Sequence, residues 1–404
     1  MREPVIVDAV RSPIGRRKGA LRETRPDTLY AHVLDALLDR TGLDPERVED
    51  VVTGCVTQAG EQGANIGRLA VLLSRLPSSV PATTLDRMCG SGQQAVHFAA
   101  QAVAAGDMSY AVGGGVEVMT RVPMFSGIGG IENLNPALFD KYELIHQGES
   151  AERVADRYNL SRNLLDGLGH RSHLRATKAA TDGYFQTQLA PIQGLDADGN
   201  TTVLDRDEGV RPNANLQKMG QLPTPFRGDG VITAGNSSQI SDGAAALLIA
   251  DRRTAEADGF RPRARFLSRV VVGDDPTLQL LGVIPATRLA LQRAGLTMKD
   301  IDVVEINEAF AAVVLAWGKE LLPEPHKSRG AGEATGAGED LDTLYPEHVN
   351  PNGGAVAHGH PLGATGAILM TKLLNELERR DARYGLQTMC IGHGMATASV
   401  IELI

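Results

Sequence analysis

The chain has 404 residues and a formal net charge of −9, with 42 % hydrophobic, 22 % charged and only 4 % aromatic residues. That balance suits an ordinary globular protein of two or three domains or subdomains, and with no basic stripe it excludes nucleic acid as a partner. No apolar run reaches membrane-spanning length, and three widely spaced cysteines cannot build a disulfide framework.

Reduced cysteines point to a reducing compartment. The start, Met1-Arg-Glu-Pro-Val-Ile-Val, reads as a strand and not as a signal or transit peptide, and the end, Ile401-Glu-Leu-Ile, is no peroxisomal address. The expectation is a cytoplasmic protein.

Apolar runs and helical periodicities alternate from there. A strand is predicted over 5–10 and a helix over 28–40, ending near Gly42. A strand begins at Val51, and an Ala-rich helix over 90–105 closes at Gly106-Asp107. A strand over 110–112 runs into Gly113-Gly-Gly115. The pattern loosens over 121–239, with helices expected at 150–158 and 166–178 and an irregular stretch at 212–225. That region reads as a loop or cover domain inserted into the first unit. The second half then echoes the first. Ala36-Leu-Leu-Asp-Arg-Thr-Gly-Leu with Val48-Glu-Asp-Val-Val resembles Ala290-Leu-Gln-Arg-Ala-Gly-Leu with Ile301-Asp-Val-Val, and strand-then-glycine recurs at 391–394. Residues 322–345, rich in Gly, Glu and Pro, read as an exposed mobile loop.

The chemistry-bearing residues sit in glycine-rich settings far apart in the chain. Cys89 lies in Asp86-Arg-Met-Cys-Gly-Ser-Gly, ahead of a helix whose N-terminus favours a thiolate. A lone cysteine is equally an ordinary small core residue. His360 precedes Pro361 and the helical run at 363–374, where an imidazole can take a thiol proton. A capping or core histidine is the alternative. Asn307 ends the strand at 303–306 and fits an N-cap, or an amide that holds a water or polarises a carbonyl. Cys390 precedes Gly392 and Gly394, whose amides can form an oxyanion hole. A zinc reading of His358-x-His360 with Cys390-x-x-His393 is set aside, because structural zinc sites carry paired Cys-x-x-Cys or a tight knuckle. Cys55 reads as a buried strand residue.

Together these segments resemble the thiolase family. The likeness covers essentially the whole chain. It rests on Val7-Asp-Ala-Val-Arg-Ser-Pro-Ile-Gly15, the Cys89 segment, Gly235-Asn-Ser-Ser238, Asn307-Glu-Ala-Phe-Ala311, Gly359-His-Pro-Leu-Gly363 and Cys390-Ile-Gly392. The resemblance implies an α/β, thiolase-like fold. It has two duplicated halves with mixed five-stranded sheets sandwiching helices, plus an inserted loop domain. The first half would be 1–120, completed by about 240–262, the cover 121–239 and the second half 263–404.

The resemblance also implies roles. Cys89 would take an acyl group from a 3-ketoacyl-CoA or acetyl-CoA. His360 would activate it and, with a water held by Asn307, bind the thioester oxygen. Cys390 would serve as the acid/base at the acetyl α-carbon. The N–H groups of Cys89 and Gly392 would hold the oxyanion. Ser238 and Ala234 would touch pantetheine, and His146, Phe226 and Phe310 would line the pocket. Coenzyme A and acyl-CoA would be substrates, with no permanently bound cofactor or metal and no membrane partner. A homodimer or homotetramer would be the assembly.

The sequence departs from the family pattern at Asp86, where Asn is common, and at Gln147, where biosynthetic members often carry Met. It departs also at His358 and His393 and in the 322–345 insertion. The Gln147 loop resembles degradative, broad or bulky-substrate members. The alternatives are a biosynthetic acetoacetyl-CoA-forming acetyltransferase, a carrier-protein-dependent ketoacyl synthase, and a non-catalytic lipid-thioester binder.

Overall fold

A computed structural model describes residues 2–322 and 341–404. The chain opens with β1 (Pro4–Arg11), buried at every position, as a near-continuous Val/Ile/Ala run requires when both faces are covered. β2 (Gly15–Arg16) is a short addition. α1 (Pro26–Thr41) takes Pro at its start and stops at Gly42, left-handed at φ +65°. Next come β3 (Asp50–Gly54), α2 (Ile66–Leu73), β4 (Ala82–Leu85), α3 (Ser91–Ala105) and β5 (Tyr110–Val118). The looser stretch carries α4 (Ala137–Lys141), α5 (Gln147–Arg157), α6 (Arg162–Thr181), the hairpin β6 (Ile192–Leu195) and β7 (Thr201–Leu204), and α7 (Leu216–Met219). Then follow β8 (Ser241–Asp251), α8 (Arg252–Ala257), β9 (Ala264–Gly273), α9 (Val283–Ala294), β10 (Val303–Ile306) and α10 (Ala311–Leu321). α11 (Leu341–Leu344), α12 (Ala355–His358), α13 (Leu362–Arg380), β11 (Tyr384–Ile391) and β12 (Met395–Leu403) end the chain.

The main strand order is β10-β11-β12-β9-β1-β8-β5-β3-β4, with β2 on β8. It is one pattern used twice. In the first unit β1 and β5 flank β8 antiparallel, and β3 and β4 continue parallel beyond β5. In the second, β9 and β11 flank β12 antiparallel and β10 continues parallel. Val349 then bridges to β10 in the fifth position. The duplicated α/β architecture is thus as the sequence predicts, with two refinements. The fifth strand of the second unit shrinks to one bridge, and the two sheets join where Val5 and Ile6 pair with Arg265 and Ala264.

α3 and α13 lie in the middle. Ala95, Val96, Ala99 and Val103 of α3 share a core with Ala364, Ala367, Ile368 and Leu373 of α13 and with sheet residues such as Ile6, Leu247 and Ile401. The outer faces carry α1 and α2 on the first unit and α9 and α10 on the second. The central helices approach closely because glycine lines the contact. A Cβ on Gly366 would sit 2.1 Å from Gln93 N, and one on Gly92 2.7 Å from Gly363 O.

Two expectations need correction. Gly113, Gly114 and Gly115 do not end a strand, because β5 runs through them to Val118. Their missing side chains make room for Val96 Cα, Ala245 O and Gly363 O, at 2.7, 2.4 and 2.0 Å from where a Cβ would stand. Most of 322–345 lies outside the described residues. Its described end is not exposed loop, since Tyr345 is fully buried and its hydroxyl donates to Glu308 at 2.6 Å. A large ring with one polar tip is stable inside when that tip is bonded.

Candidate active site

β4 leads into α3 through a sharp turn at Met88, held at φ +46°. Ser91 Oγ accepts the Arg87 N–H at 2.8 Å and donates to the Met88 carbonyl at 2.6 Å, which fixes the turn. Cys89 sits on it, 6 % exposed. Burial pushes its thiol up to about 12, while two amides aimed at the sulfur, its own and that of Gly392, work in the opposite direction. The expected lowering by the helix N-terminus does not prevail. Desolvation of a buried sulfur outweighs the two amides.

Gly392 opens the tight connection between β11 and β12, where His393 has φ +59° and Gly394 φ +75°. Cys390, buried, is the penultimate residue of β11, two positions before Gly392. Burial raises its thiol still further, and the neighbouring Cys89 sulfur adds to the shift. The nearby Asn307 side chain opposes the rise.

Asn307 follows β10. It is not a helix cap, because α10 starts at Ala311 with Phe310 at the N-cap. Instead its Nδ2 lies 3.3 Å from His360 Nε2. Its Oδ1 is buried and has no hydrogen bond among the described residues. His360 stands between α12 and α13, after Gly359 at φ +110°, where a Cβ would meet Ser241 Oγ at 2.0 Å. Ser241 Oγ accepts the His360 backbone N–H at 3.2 Å. His360 Nδ1 faces Thr365 Oγ1 at 2.6 Å, and burial lowers the imidazole to about 4. His360 thus meets Asn307, and the buried Cys390 thiol lies close enough to both Asn307 and Cys89 for each to shift it.

A line of rings leads outward from this cluster. Phe310, 8 % exposed, meets Phe226 edge-on at 6.3 Å between centroids, and Phe226 stacks on His146 at 5.2 Å. His146 is exposed and caps α5 by accepting the Gly148 N–H at 3.0 Å. Ser238 donates its N–H to the Ala309 carbonyl at 2.9 Å, beside the same motif. Ala234 is exposed on the turn before it.

The residues that depart from the family pattern separate in space. Gln147 Nε2 and Met88 Sδ each lie 2.7 Å from where a Cβ on Gly392 would stand. Burial raises the Asp86 carboxyl, against the Met88 amide and the exposed His393. His358 turns away from His360. Its Nδ1 lies 2.7 Å from Asp207 Oδ2 and its Nε2 2.8 Å from the Asn352 carbonyl. Asp207 also holds Arg11 through two contacts and the Ile14 N–H, which ties the 121–239 region to β1. Among the described residues no group of three or more His, Cys, Asp or Glu is arranged to hold a metal ion.

Sequence reasoning missed three residues. Glu117, fully buried in β5, accepts the N–H groups of Val56, Thr57 and Gly363 and the Gln62 amide at 2.7 to 3.1 Å. It clamps the start of α13 to the loop after β3. A lone acid in an apolar strand was its signal. Gln279, at φ +48°, accepts the His393 N–H at 3.0 Å and donates to the Ile145 carbonyl at 2.8 Å. It pins the Gly392 turn to the segment before α5, and nothing in its surroundings marked it. Thr365 lies within the His360 motif itself, five positions on.

An open cleft of about 630 Å³ lined by Arg22, Glu61, Thr120, Arg121 and Ser126 contains none of these groups. Its guanidiniums are committed, Arg121 to Glu61 and Arg22 to backbone carbonyls.

The family model described as thiolase, N-terminal domain, matches residues 4–253, and that described as thiolase, C-terminal domain, matches 260–403. The chain belongs to the thiolase family. It is 42 % identical over 421 residues to the 3-oxoadipyl-CoA/3-oxo-5,6-dehydrosuberyl-CoA thiolase of Escherichia coli (strain K12), covering all of both chains. It is 44 % identical over 407 residues to the 3-ketoacyl-CoA thiolase of Serratia proteamaculans (strain 568), again over both full lengths. The crystal structure of the Bacillus anthracis acetyl-CoA acetyltransferase matches with a TM-score of 0.86 at 35 % identity, covering 100 % of this chain and 99 % of that one. This thiolase is accordingly an acyltransferase acting on coenzyme A thioesters, and its buried cysteine pair and imidazole occupy the junction between its two α/β units.

Proposed function

We propose that this thiolase cleaves 3-ketoacyl-CoA with free coenzyme A to acetyl-CoA and a shortened acyl-CoA, with the Claisen condensation as the reverse. The Cys89 sulfur attacks the 3-keto carbon while its proton passes to His360 Nε2. The amides of Cys89 and Gly392 hold the resulting oxyanion. The C2–C3 bond breaks, leaving an acyl group on Cys89 and the enolate of acetyl-CoA. His360, with a water on the Asn307 amide, binds the enolate oxygen, and Cys390 gives its proton to the α-carbon. Coenzyme A then gives its thiol proton to the Cys390 thiolate and attacks the acyl group. Cys89 leaves as thiolate and recovers its proton from His360.

The observation that carries this is the buried cluster in which Asn307 Nδ2 lies 3.3 Å from His360 Nε2, the Cys390 thiol is shifted by Asn307 and by Cys89, and the Cys89 thiol by the Gly392 amide. One oxyanion donor contributes about 10²–10³ in rate and a placed acid/base about 10²–10⁴. Ser238, Ala234, His146, Phe226 and Phe310 would guide the pantetheine arm and acyl chain inward.

Two variants test it by mass spectrometry and deuterium exchange. Cys89→Ala should gain no acyl mass. Cys390→Ala should still gain it but lose exchange of the acetyl-CoA α-protons with solvent. An acyl adduct anywhere on the first variant, or unchanged exchange in the second, would overturn the roles. Rates that need a carrier protein instead of free coenzyme A would favour a ketoacyl synthase.

We further propose a cytoplasmic homodimer or homotetramer organised as halves 1–120 with 240–262 and 263–404, with 121–239 as the cover. All three cysteines are free thiols, which favours a reducing compartment. Among the described residues β4 is the outermost strand of its sheet, beside α2, whose Leu72 and Leu73 are 53 % and 59 % exposed. Such an edge invites a second chain.

A further inference from the structure

His360 Nδ1 lies 2.6 Å from Thr365 Oγ1, which in turn lies 2.9 Å from the Pro361 carbonyl oxygen. Both side chains are buried, 4 % and 2 % exposed. A hydroxyl has one hydrogen, and a carbonyl oxygen can only accept. Thr365 therefore donates to Pro361, and its oxygen accepts from the ring. The neutral ring proton then sits on Nδ1, leaving Nε2 with its lone pair.

The far side of the ring agrees. The Asn307 amide nitrogen, a donor only, faces Nε2 at 3.3 Å. A proton on Nε2 would set donor against donor.

We propose that Thr365 is the positioning residue that sets the His360 tautomer, delivering an unprotonated Nε2 to the Cys89 thiol. The proposal rests on His360 being the base for Cys89. Thr365 is neutral, so no anion stands behind the ring to hold an imidazolium, unlike the carboxylate of a serine-protease triad. The resting pair is thiol and imidazole. The proton moves to Nε2 only as the sulfur attacks, and there it can donate to the thioester oxygen. A threonine hydroxyl that bonds back to the carbonyl four residues earlier is an ordinary helix feature. Here that bond orients the oxygen lone pairs toward Nδ1.

The test uses the full chain labelled with ¹⁵N-histidine, with His360 assigned by its loss in His360→Gln. The two-bond ¹H–¹⁵N spectrum should show His360 protonated at Nδ1. Thr365→Ser, which keeps the hydroxyl, should form acyl-Cys89 within about 2-fold of the unaltered rate. Thr365→Val should slow it about 10-fold with KM unchanged, the factor that about 1.4 kcal/mol, one buried hydrogen bond, supplies. Its spectrum should move toward the Nε2–H form. An Nε2–H ring in the unaltered protein overturns the proposal however the variants fold. So does a Thr365→Val protein with unchanged tautomer and rate. Normal acylation by His360→Gln would instead sink the assignment of the base, and the spectrum reads that failure separately.

Discussion

At the scale of single residues, burial governs this site. It holds the Cys89 thiol near 12 and the His360 imidazole near 4, so both are neutral around pH 7. Two consequences can be measured. The acid limb of kcat/KM for acylation should lie nearer pH 4 than the ordinary histidine value of about 6.5, because His360 stays an unprotonated base as pH falls. In His360→Gln the thiol loses its base, and alkylation of Cys89 by iodoacetamide should rise only toward the alkaline end of the accessible range. A limb at pH 6.5 in the first case, or rapid alkylation at pH 7 in the second, would contradict the neutral pair. In the sequence Cys89, His360 and Cys390 stood out by their glycine-framed motifs and Asn307 by its place at the end of a strand. Their titration was not legible there, because desolvation depends on what covers a side chain, and those covering atoms come from distant segments.

At the scale of elements, the central helices and the clamps on them decide the geometry. Gly366→Ala would drive a methyl to within 2.1 Å of Gln93 N, a backbone atom that cannot rotate away. Parting α3 from α13 should cost roughly 1–3 kcal/mol, read as a lower urea midpoint. It should also reduce acylation, since the two helices carry Cys89 and His360 at their starts. Glu117→Gln replaces an all-acceptor carboxylate by a group with one donor end, so at least one of the four donors around it loses its partner. A loss of about 1–3 kcal/mol is expected in the same assay. An unchanged midpoint in either variant would mean the packing there yields. Helices α1, α3 and α13 were visible in periodicity and end signals. The continuation of β5 through three glycines was not, because those glycines answer to neighbours that lie far away in the chain.

For the whole molecule, acid sensitivity and assembly follow from what is buried and what is bare. His97, His173 and His360 are lowered to about 3, 4 and 4, each chiefly by burial. The unfolded chain binds these protons below about 6.5 while the folded chain does not. Stability should therefore fall as pH drops from 6.5 toward 4, by up to about 1.4 kcal/mol per pH unit for each ring. Urea midpoints across that window should show the slope, and His97→Gln should flatten it. An unflattened slope would place the proton uptake elsewhere. Sedimentation should find a dimer or tetramer, and Leu73→Lys should shift it toward monomer if the β4 edge is the contact; a monomeric unaltered protein would refute the assembly. The chain's own order of residues settled the fold class, the duplicated plan and the chemical kinds gathered at the site, since period, glycine placement and motif spacing are local properties. The three-dimensional arrangement alone decided that the two sheets meet along β1 and β9, that Asn307 meets His360 instead of capping a helix, and that Thr365 stands behind the ring. Those outcomes depend on how β1, β9, β10, β11 and the start of α13 come together in space, and on the low-dielectric surroundings they create, which spacing along the chain does not report.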